Sequence, residues 1–232
     1  MRISKTSLII FFLIFLDLLF VILHFYLGGG SELFNLDAER NFPTIYQSFK
    51  LVLLASLAFA HMVFLYVLRD FKGKEKLIFF PFWLGFSFLA LDEIGSIHEN
   101  LGNTLSQIDG DLIAGIREFF SSIGFRSSEW LLFYLPAIVF AGIYFVYLMK
   151  FFYKQKNKFY LFAFSTLLLF LVPIIEYISN PKENYTALQY NIFVSFEEIL
   201  EMAGISLMIV FMLFMMRADI LKFKSKNIDK KE

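Results

Sequence analysis

Long apolar stretches, separated by shorter polar segments, recur along the chain. A helix rises about 1.5 Å per residue, so about 20 apolar residues cross a hydrocarbon core of roughly 30 Å. Six such stretches lie approximately at residues 7–27, 49–68, 77–98, 130–149, 159–179 and 192–216. The pattern predicts an all-α fold: a polytopic integral membrane bundle of six transmembrane helices, forming one transmembrane domain over residues 1–221.

The composition agrees with a membrane class and excludes several kinds of site. Hydrophobic residues make up 58% of the chain and charged residues only 18%, whereas a water-soluble domain has about 25% charged residues. The 21 Lys and Arg balance the 21 Asp and Glu, so no net positive field attracts nucleic acid. The chain contains no cysteine, which excludes disulfides, thiolate metal sites and cysteine nucleophiles.

Basic residues are concentrated in every second connection. The N-terminus, the 69–76 and 150–158 connections and the residues after 216 hold 16 Lys and Arg. The opposite connections hold five, which are Arg40, Lys50, Arg117, Arg126 and Lys182. Because Lys and Arg are retained on the cytoplasmic side, this bias predicts both termini in the cytoplasm, an inner-membrane location and a basic cytoplasmic tail at 222–232.

The longest outer connection, residues 99–129, contains a short amphipathic pattern. Ile113, Ile116, Phe119, Phe120 and Ile123 recur at helical spacing within residues 111–125. The pattern indicates a helix that either lies in the membrane interface, covering a site from above, or packs as an ordinary loop helix.

Ionisable residues inside the predicted spans are the candidates for chemistry. A charge near the bilayer centre costs at least ~2.5–3.5 kcal/mol on insertion scales, so such residues usually serve a function. Span three ends with the segment LDEIGSIHE, and span six begins with FEEILEMAG. The candidates are Asp92, Glu93, His98, Glu99, Glu197, Glu198 and Glu201, with Asp17, His24, His61 and Glu176 as accessory residues.

Depth and helical phase predict that the two acidic segments meet. Alternating spans place the end of span three and the start of span six in the same outer half of the membrane. Asp92, Ser96 and Glu99 fall on one stripe of a helix, and Glu197, Glu198 and Glu201 share an arc of about 100°. Gly204 would allow close helix approach. Span three facing span six would then gather up to five carboxylates and His98 in one pocket.

Clustered carboxylates in a low-dielectric medium must be neutralised. In the first interpretation a divalent cation (Zn, Mn, Fe, Mg or Ca) binds to Asp92, His98, Glu99, Glu197 and Glu201. Glu93 or Glu198 would serve as general base for metal-assisted chemistry on a lipid or another membrane-dissolved substrate.

Two interpretations from other classes remain open. In a proton- or cation-coupled transporter, several carboxyls would be protonated, and Asp17, His61 and Glu176 would extend the polar track inward. In a structural accessory subunit, the carboxylates would only fasten helices. His24 reaches a depth similar to His98, and its spacing from Asp17 places both on one face of span one. His61 and Asp17 individually are also typical of satisfied helix–helix contacts.

The two acidic segments resemble those of a known group. LDEIGSIHE followed by FEEILEMAG is similar to the DE…HE and EE…EM.G segments of a widespread group of uncharacterised bacterial multi-span membrane proteins. The resemblance is close in the two segments and loose over spans three to six. It implies that Asp92, Glu93, His98, Glu99, Glu197, Glu198, Glu201 and Gly204 occupy that group's signature positions, and it brings no activity with it.

Overall fold

The computed structural model describes residues 5–28, 31–36, 38, 40–68, 78–97, 129–179 and 185–228, and a few isolated positions between 100 and 122. Over these residues the chain is helical. The helices are α1 (Lys5–Leu23), α2 (Phe42–Leu68), α3 (Phe80–Gly95), α4 (Glu129–Phe152), α5 (Lys156–Ser179) and α6 (Ala187–Ile228). A π-helical turn, His24–Gly28, and a 3₁₀ turn, Glu32–Phe34, connect α1 to α2.

Within the described residues, five helices are long and apolar enough to cross a membrane: the segments Leu8–Leu27, Phe42–Val67, Tyr134–Phe152, Lys156–Ser179 and Ala187–Ser225. The all-α prediction is confirmed for this part of the chain, and the helices define a membrane-embedded bundle. Six complete spans are not confirmed, because α3 has only 16 residues. That length corresponds to about 24 Å, short of the hydrocarbon thickness of roughly 30 Å.

Helix α3 is shorter than the predicted third span because the helix is capped early at its C-terminal end. Ser96 follows the helix in the left-handed conformation, with φ of 47°, and its amide donates to the carbonyl of Asp92. This cap ends α3 at Gly95, so the helical stripe predicted from Asp92 through Ser96 to Glu99 stops after its first residue. His98 and Glu99, and most of the predicted interfacial helix at 111–125, lie outside the described residues.

Helix α2 begins seven residues before the predicted span because Asn41 caps it. The Asn41 Oδ1 accepts the amide of Thr44 at 3.1 Å, which satisfies one of the unpaired donors of the first turn. Its Nδ2 donates to the carbonyls of Ala38 at 2.7 Å and Glu32 at 3.2 Å. The cap therefore closes the connecting loop and starts a helix whose first turns are polar, which an apolar-length criterion does not detect.

Helix α6 runs parallel to α2 and antiparallel to α1, as the contacts between them show. Helix α6 packs extensively on α5, and also on α2 and α1, while α3 packs mainly on α2. Asp17 contacts Ser206, whereas Phe20 and Val21, further along α1, cluster with Tyr190 and Val194, earlier on α6. Helices α1 and α6 are therefore antiparallel, so the start of α1 and the end of α6 lie at the same end of the bundle.

The core beside α6 is aromatic. The rings of Phe152, Phe162 and Phe211, from α4, α5 and α6, lie 5.1–5.8 Å apart between centroids and are fully buried. Helix α6 itself has 42 residues, or about 63 Å, and it continues beyond the predicted span end at 216 into the predicted basic tail. Leu221, Lys222 and Lys224 are exposed on this extension.

Gly204 marks the closest approach of α5 and α6. A Cβ built there would lie 2.8 Å from the Leu169 Cδ2 and 2.9 Å from its Cγ. The sequence assigned this glycine to a contact between spans three and six. In the structure its close neighbours are Leu168 and Leu169 of α5, so that assignment is corrected.

Substituting Gly204→Ala should lower the free energy of unfolding by about 1–3 kcal/mol, because the added methyl group overpacks the α5–α6 contact. Gly85→Ala is the matched control, since a Cβ at Gly85 of α3 meets nothing within 4 Å. It should leave stability unchanged or raise it by up to ~1 kcal/mol. Thermal unfolding of both variants in detergent measures the difference, and equal midpoints would contradict the close approach.

Candidate functional site

A buried ion pair joins α1, α2 and α6. The Lys50 Nζ lies 2.9 Å from the Asp17 Oδ1, and the lysine side chain is 0% exposed. The ammonium also donates to the carbonyl of Met202 at 3.0 Å and lies 3.5 Å from the Ser206 Oγ. Lys50 is the ninth residue of α2, about 12 Å along its axis, so this charge lies within the apolar part of the bundle.

The Asp17 carboxylate is also fully engaged. Its Oδ1 accepts the Tyr46 hydroxyl at 2.8 Å, and its Oδ2 accepts the Ser206 hydroxyl at 2.7 Å. The Lys50 Nζ lies 4.6 Å from the centre of the Tyr46 ring, within range of a cation–π interaction. Charge pairing and three donors to one carboxylate are what a buried ion pair requires to be tolerated.

Acidic residues of α6 lie close to this pair. Glu198 and Glu201 lie four and one residues before Met202, whose carbonyl accepts a hydrogen bond from Lys50, and Glu197, Glu198 and Glu201 are partly buried. Sequence reasoning offered a metal, protons or hydrogen bonds as neutralising agents for the α6 acids. The structure adds a fourth, the ammonium of Lys50, which the chain itself supplies.

A second buried pair lies at the other end of α2. The His61 Nε2 is 3.0 Å from the Asp219 Oδ2, with side-chain exposures of 0% and 8%. The imidazole stacks on Phe79, just before α3, at 4.6 Å between ring centres. Its Nδ1 has no hydrogen-bond partner within the part of the chain that the structure describes. His61 therefore fastens α2 to the C-terminal part of α6 and retains a nitrogen able to bind a proton.

An apolar layer separates the two pairs. Leu54 and Ala58 of α2 and Met208, Ile209 and Met212 of α6 are all 0% exposed. Lys50 and His61 are 11 residues apart in α2, or about 16 Å. We name the part of the bundle around Asp17 and Lys50 the Lys50 end, and the part around His61 and Asp219 the His61 end.

The predicted site on α3 lies on another side of the bundle. Asp92 is buried, and its Oδ1 accepts the Tyr134 hydroxyl of α4 at 2.9 Å. Helices α3 and α6 are not among the extensively packed pairs of the described helices. Within the described residues no three His, Asp or Glu side chains are grouped so as to hold a metal ion. The metal site, whose His98 and Glu99 are not described, stays a prediction.

The accessory candidates divide between the two ends. Asp17 and His61 each belong to one buried pair. His24 lies in the π-helical turn, where its Nδ1 accepts the amide of Leu36 at 3.0 Å, so it anchors the loop after α1. Glu93 on α3 and Glu176 on α5 are partly buried and each makes at least one interaction.

Sequence reasoning missed one member of each pair, Lys50 and Asp219, and the two hydroxyl donors to Asp17, Tyr46 and Ser206. Lys50 was counted with the outer connections because it lies at the very start of the predicted span 49–68, but it is the ninth residue of α2. Asp219 was excluded because span six was ended at 216. The available signal was a charged residue close to an apolar run, which could have been tested as part of a longer helix.

A groove also opens between α1 and α6. Its volume is about 260 Å³ and its walls are almost entirely apolar. Asp17 and Ser206 line it, so it lies beside the ion pair.

The fold and these pairs define a class: a membrane-embedded helical bundle with ionisable residues paired in its interior. A family model described as a domain of unknown function, DUF8692, matches residues 8–216. The chain belongs to this family. No curated protein and no solved structure matches it.

Breaking the ion pair on one side should cost about 3–5 kcal/mol of stability, because the remaining charge stays buried and unpaired. We expect this loss in Asp17→Asn and in Lys50→Met. The double variant should lose less than the sum of the two, by about 0.5–3 kcal/mol. Unfolding of all four proteins in detergent completes the double-mutant cycle; strictly additive losses would mean that the pair carries no coupling energy.

Proposed function

We propose that this protein moves protons in the membrane, as a proton-coupled transporter, and that the Lys50–Asp17 pair changes its charge state during transport. The observation that carries this proposal is an ammonium with 0% exposure in the interior of an apolar bundle. Ionisable residues inside membrane spans are rare and commonly mark ion and proton pathways.

Protonation of Asp17 would be coupled to helix packing. Asp17 is the acceptor that joins α1 to Lys50 and Tyr46 of α2 and to Ser206 of α6. Adding a proton to its carboxylate would remove the charge that Lys50 faces and convert an acceptor into a donor. The ammonium would then depend on Glu198 and Glu201, which lie close to its Met202 contact on α6. Proton binding can therefore shift the equilibrium between two packings of α1.

The second pair supports transport rather than fastening alone. A carrier needs ionisable groups toward both sides of the membrane and a barrier between them. His61 and Asp219 supply a group at the opposite end from Lys50, and the apolar layer between the ends supplies the barrier. His61 is suited to this role, since an imidazole nitrogen can either donate or accept a hydrogen bond.

We further propose that both termini face the cytoplasm of the cell's inner membrane. The antiparallel packing of α1 against α6 supports a common side for the two termini. The excess of Lys and Arg at the termini and in the 69–76 and 150–158 connections supports the cytoplasm as that side.

Purified protein in liposomes should therefore pass protons when a potassium gradient with valinomycin drives them, reported by an internal pH dye. Asp17→Asn and Lys50→Met should slow this flux at least about tenfold, since one protonation barrier of 1.4 kcal/mol already corresponds to a factor of ten. Asp17→Glu should restore part of it.

Lys222→Met is the matched control, because Lys222 is exposed on the extension of α6; it should conduct like the natural protein. Only variants whose unfolding is cooperative enter the comparison. If proton flux through the natural protein is no faster than through empty liposomes, the proposal is wrong.

A divalent-metal site acting on a lipid or membrane-dissolved substrate is the second proposal. Its support is the buried Asp92 carboxylate at the end of α3, directly before the segment with His98 and Glu99. In this proposal Asp92, His98, Glu99, Glu197 and Glu201 bind the metal and Glu93 or Glu198 is the general base.

Elemental analysis of the purified protein should then find about one divalent ion per chain, lost in both Glu201→Gln and Glu99→Gln because each removes a carboxylate ligand. Glu32→Gln, at an exposed position, should keep the ion. If Glu201→Gln retains the metal, the proposed ligand set is wrong; if proton flux occurs without any metal, the first proposal stands alone.

A further inference from the structure

Gln47 is a buried carboxamide whose own polar atoms are unpaired. The residue is 3% exposed, and neither its Nε2 nor its Oε1 has a hydrogen-bond partner among the described residues. A carboxamide offers two donor hydrogens and an acceptor oxygen. Buried side chains with that capacity are nearly always bonded to protein or to ordered water, so an exception calls for an explanation, of which a water molecule is one.

Two polar residues near Gln47, Thr44 and Ser48, make their bonds within the start of α2, unlike Gln47. At the start of α2, the Thr44 hydroxyl donates to the Asn41 Oδ1 at 3.1 Å, and the Ser48 hydroxyl donates to the Thr44 carbonyl at 2.8 Å. Both side chains are therefore satisfied within their own helix end. The Gln47 carboxamide makes no such local bond among the described residues.

The position of Gln47 connects the end of the bundle with the ion pair. It is five residues after the first residue of α2, about 7–8 Å along the axis, and one turn before Lys50. Gln47, Leu51 and Leu54 recur at the spacing of one helix face, and Leu51 and Leu54 are buried apolar residues. Polar character on this face thus extends from the helix start to the level of Lys50 and stops there.

We propose that Gln47 binds water on an access path from the Lys50 end of the bundle to the Lys50–Asp17 pair. The inference rests on the proposed proton transport for its purpose, because a buried pair can exchange protons only through such a path. The carboxamide is suited to the role, since it can donate to one water and accept from another while carrying no charge itself.

The absence of cysteine from the chain makes the path directly measurable. Single-cysteine variants Gln47→Cys and Leu54→Cys, in sealed vesicles, are treated with a small charged methanethiosulfonate reagent. Leu54 is the matched control: it lies on the same face of α2 and is 0% exposed. We expect Gln47→Cys to react at least about tenfold faster, because the thiolate and the reagent both require water.

Equal reaction rates at the two positions would overturn the inference. A second measurement uses the natural protein in detergent micelles, where NMR should show exchange between the Gln47 carboxamide protons and water; no such exchange would also overturn it. Neither readout depends on transport. If Gln47→Cys reacts rapidly but the protein passes no protons, the water path is supported and only the proposed function is wrong.

Discussion

The arrangement of α1, α2 and α6 depends on one electrostatic constraint: an ammonium and a carboxylate inside an apolar bundle must stay together. Lys50 and Asp17 come from different helices and meet at 2.9 Å. Each charge removed from water loses hydration that only a close partner and additional hydrogen bonds can offset. Tyr46 and Ser206 complete those bonds, so the pair determines which helices surround α1 and in what register.

The same ammonium changes how the acids of α6 are understood. Carboxylates clustered in a low-dielectric medium must be neutralised, and from the sequence we considered a metal ion, protons or hydrogen bonds. Lys50 is a resident cation that contacts the Met202 carbonyl, one residue after Glu201.

Much of the fold was predictable because a helix needs a minimum number of apolar residues to cross the bilayer. Five of the predicted stretches correspond to helices long and apolar enough to cross a membrane. They could be predicted because the fixed rise per residue of a helix converts membrane thickness into a number of residues. The predicted helix ends are wrong where capping residues, and not the length of the apolar stretch, set the end of a helix. Asn41 starts α2 seven residues early, Ser96 ends α3 at Gly95, and α6 continues past 216 because nothing in its sequence caps it there.

The candidate site was predictable only in part. Asp17 and His61 were identified because charge in an apolar run is costly wherever the helices lie. Their partners Lys50 and Asp219 were not, because each lies near a span boundary whose position depends on capping and helix extension. The contact assigned to Gly204 was wrong for a related reason: a glycine indicates close approach, but its sequence does not name the neighbour, which is Leu169.

By itself the sequence determined the helical class, the approximate spans and the residues too polar for lipid, since these follow from local hydropathy and helical geometry. Only the tertiary structure decided that α6 packs on α5, α2 and α1, that Lys50 pairs with Asp17, and that His61 pairs with Asp219. Such pairings join residues 33 to 158 positions apart. They depend on which helix faces pack together, and the residue pattern of a single helix does not specify its partner helix.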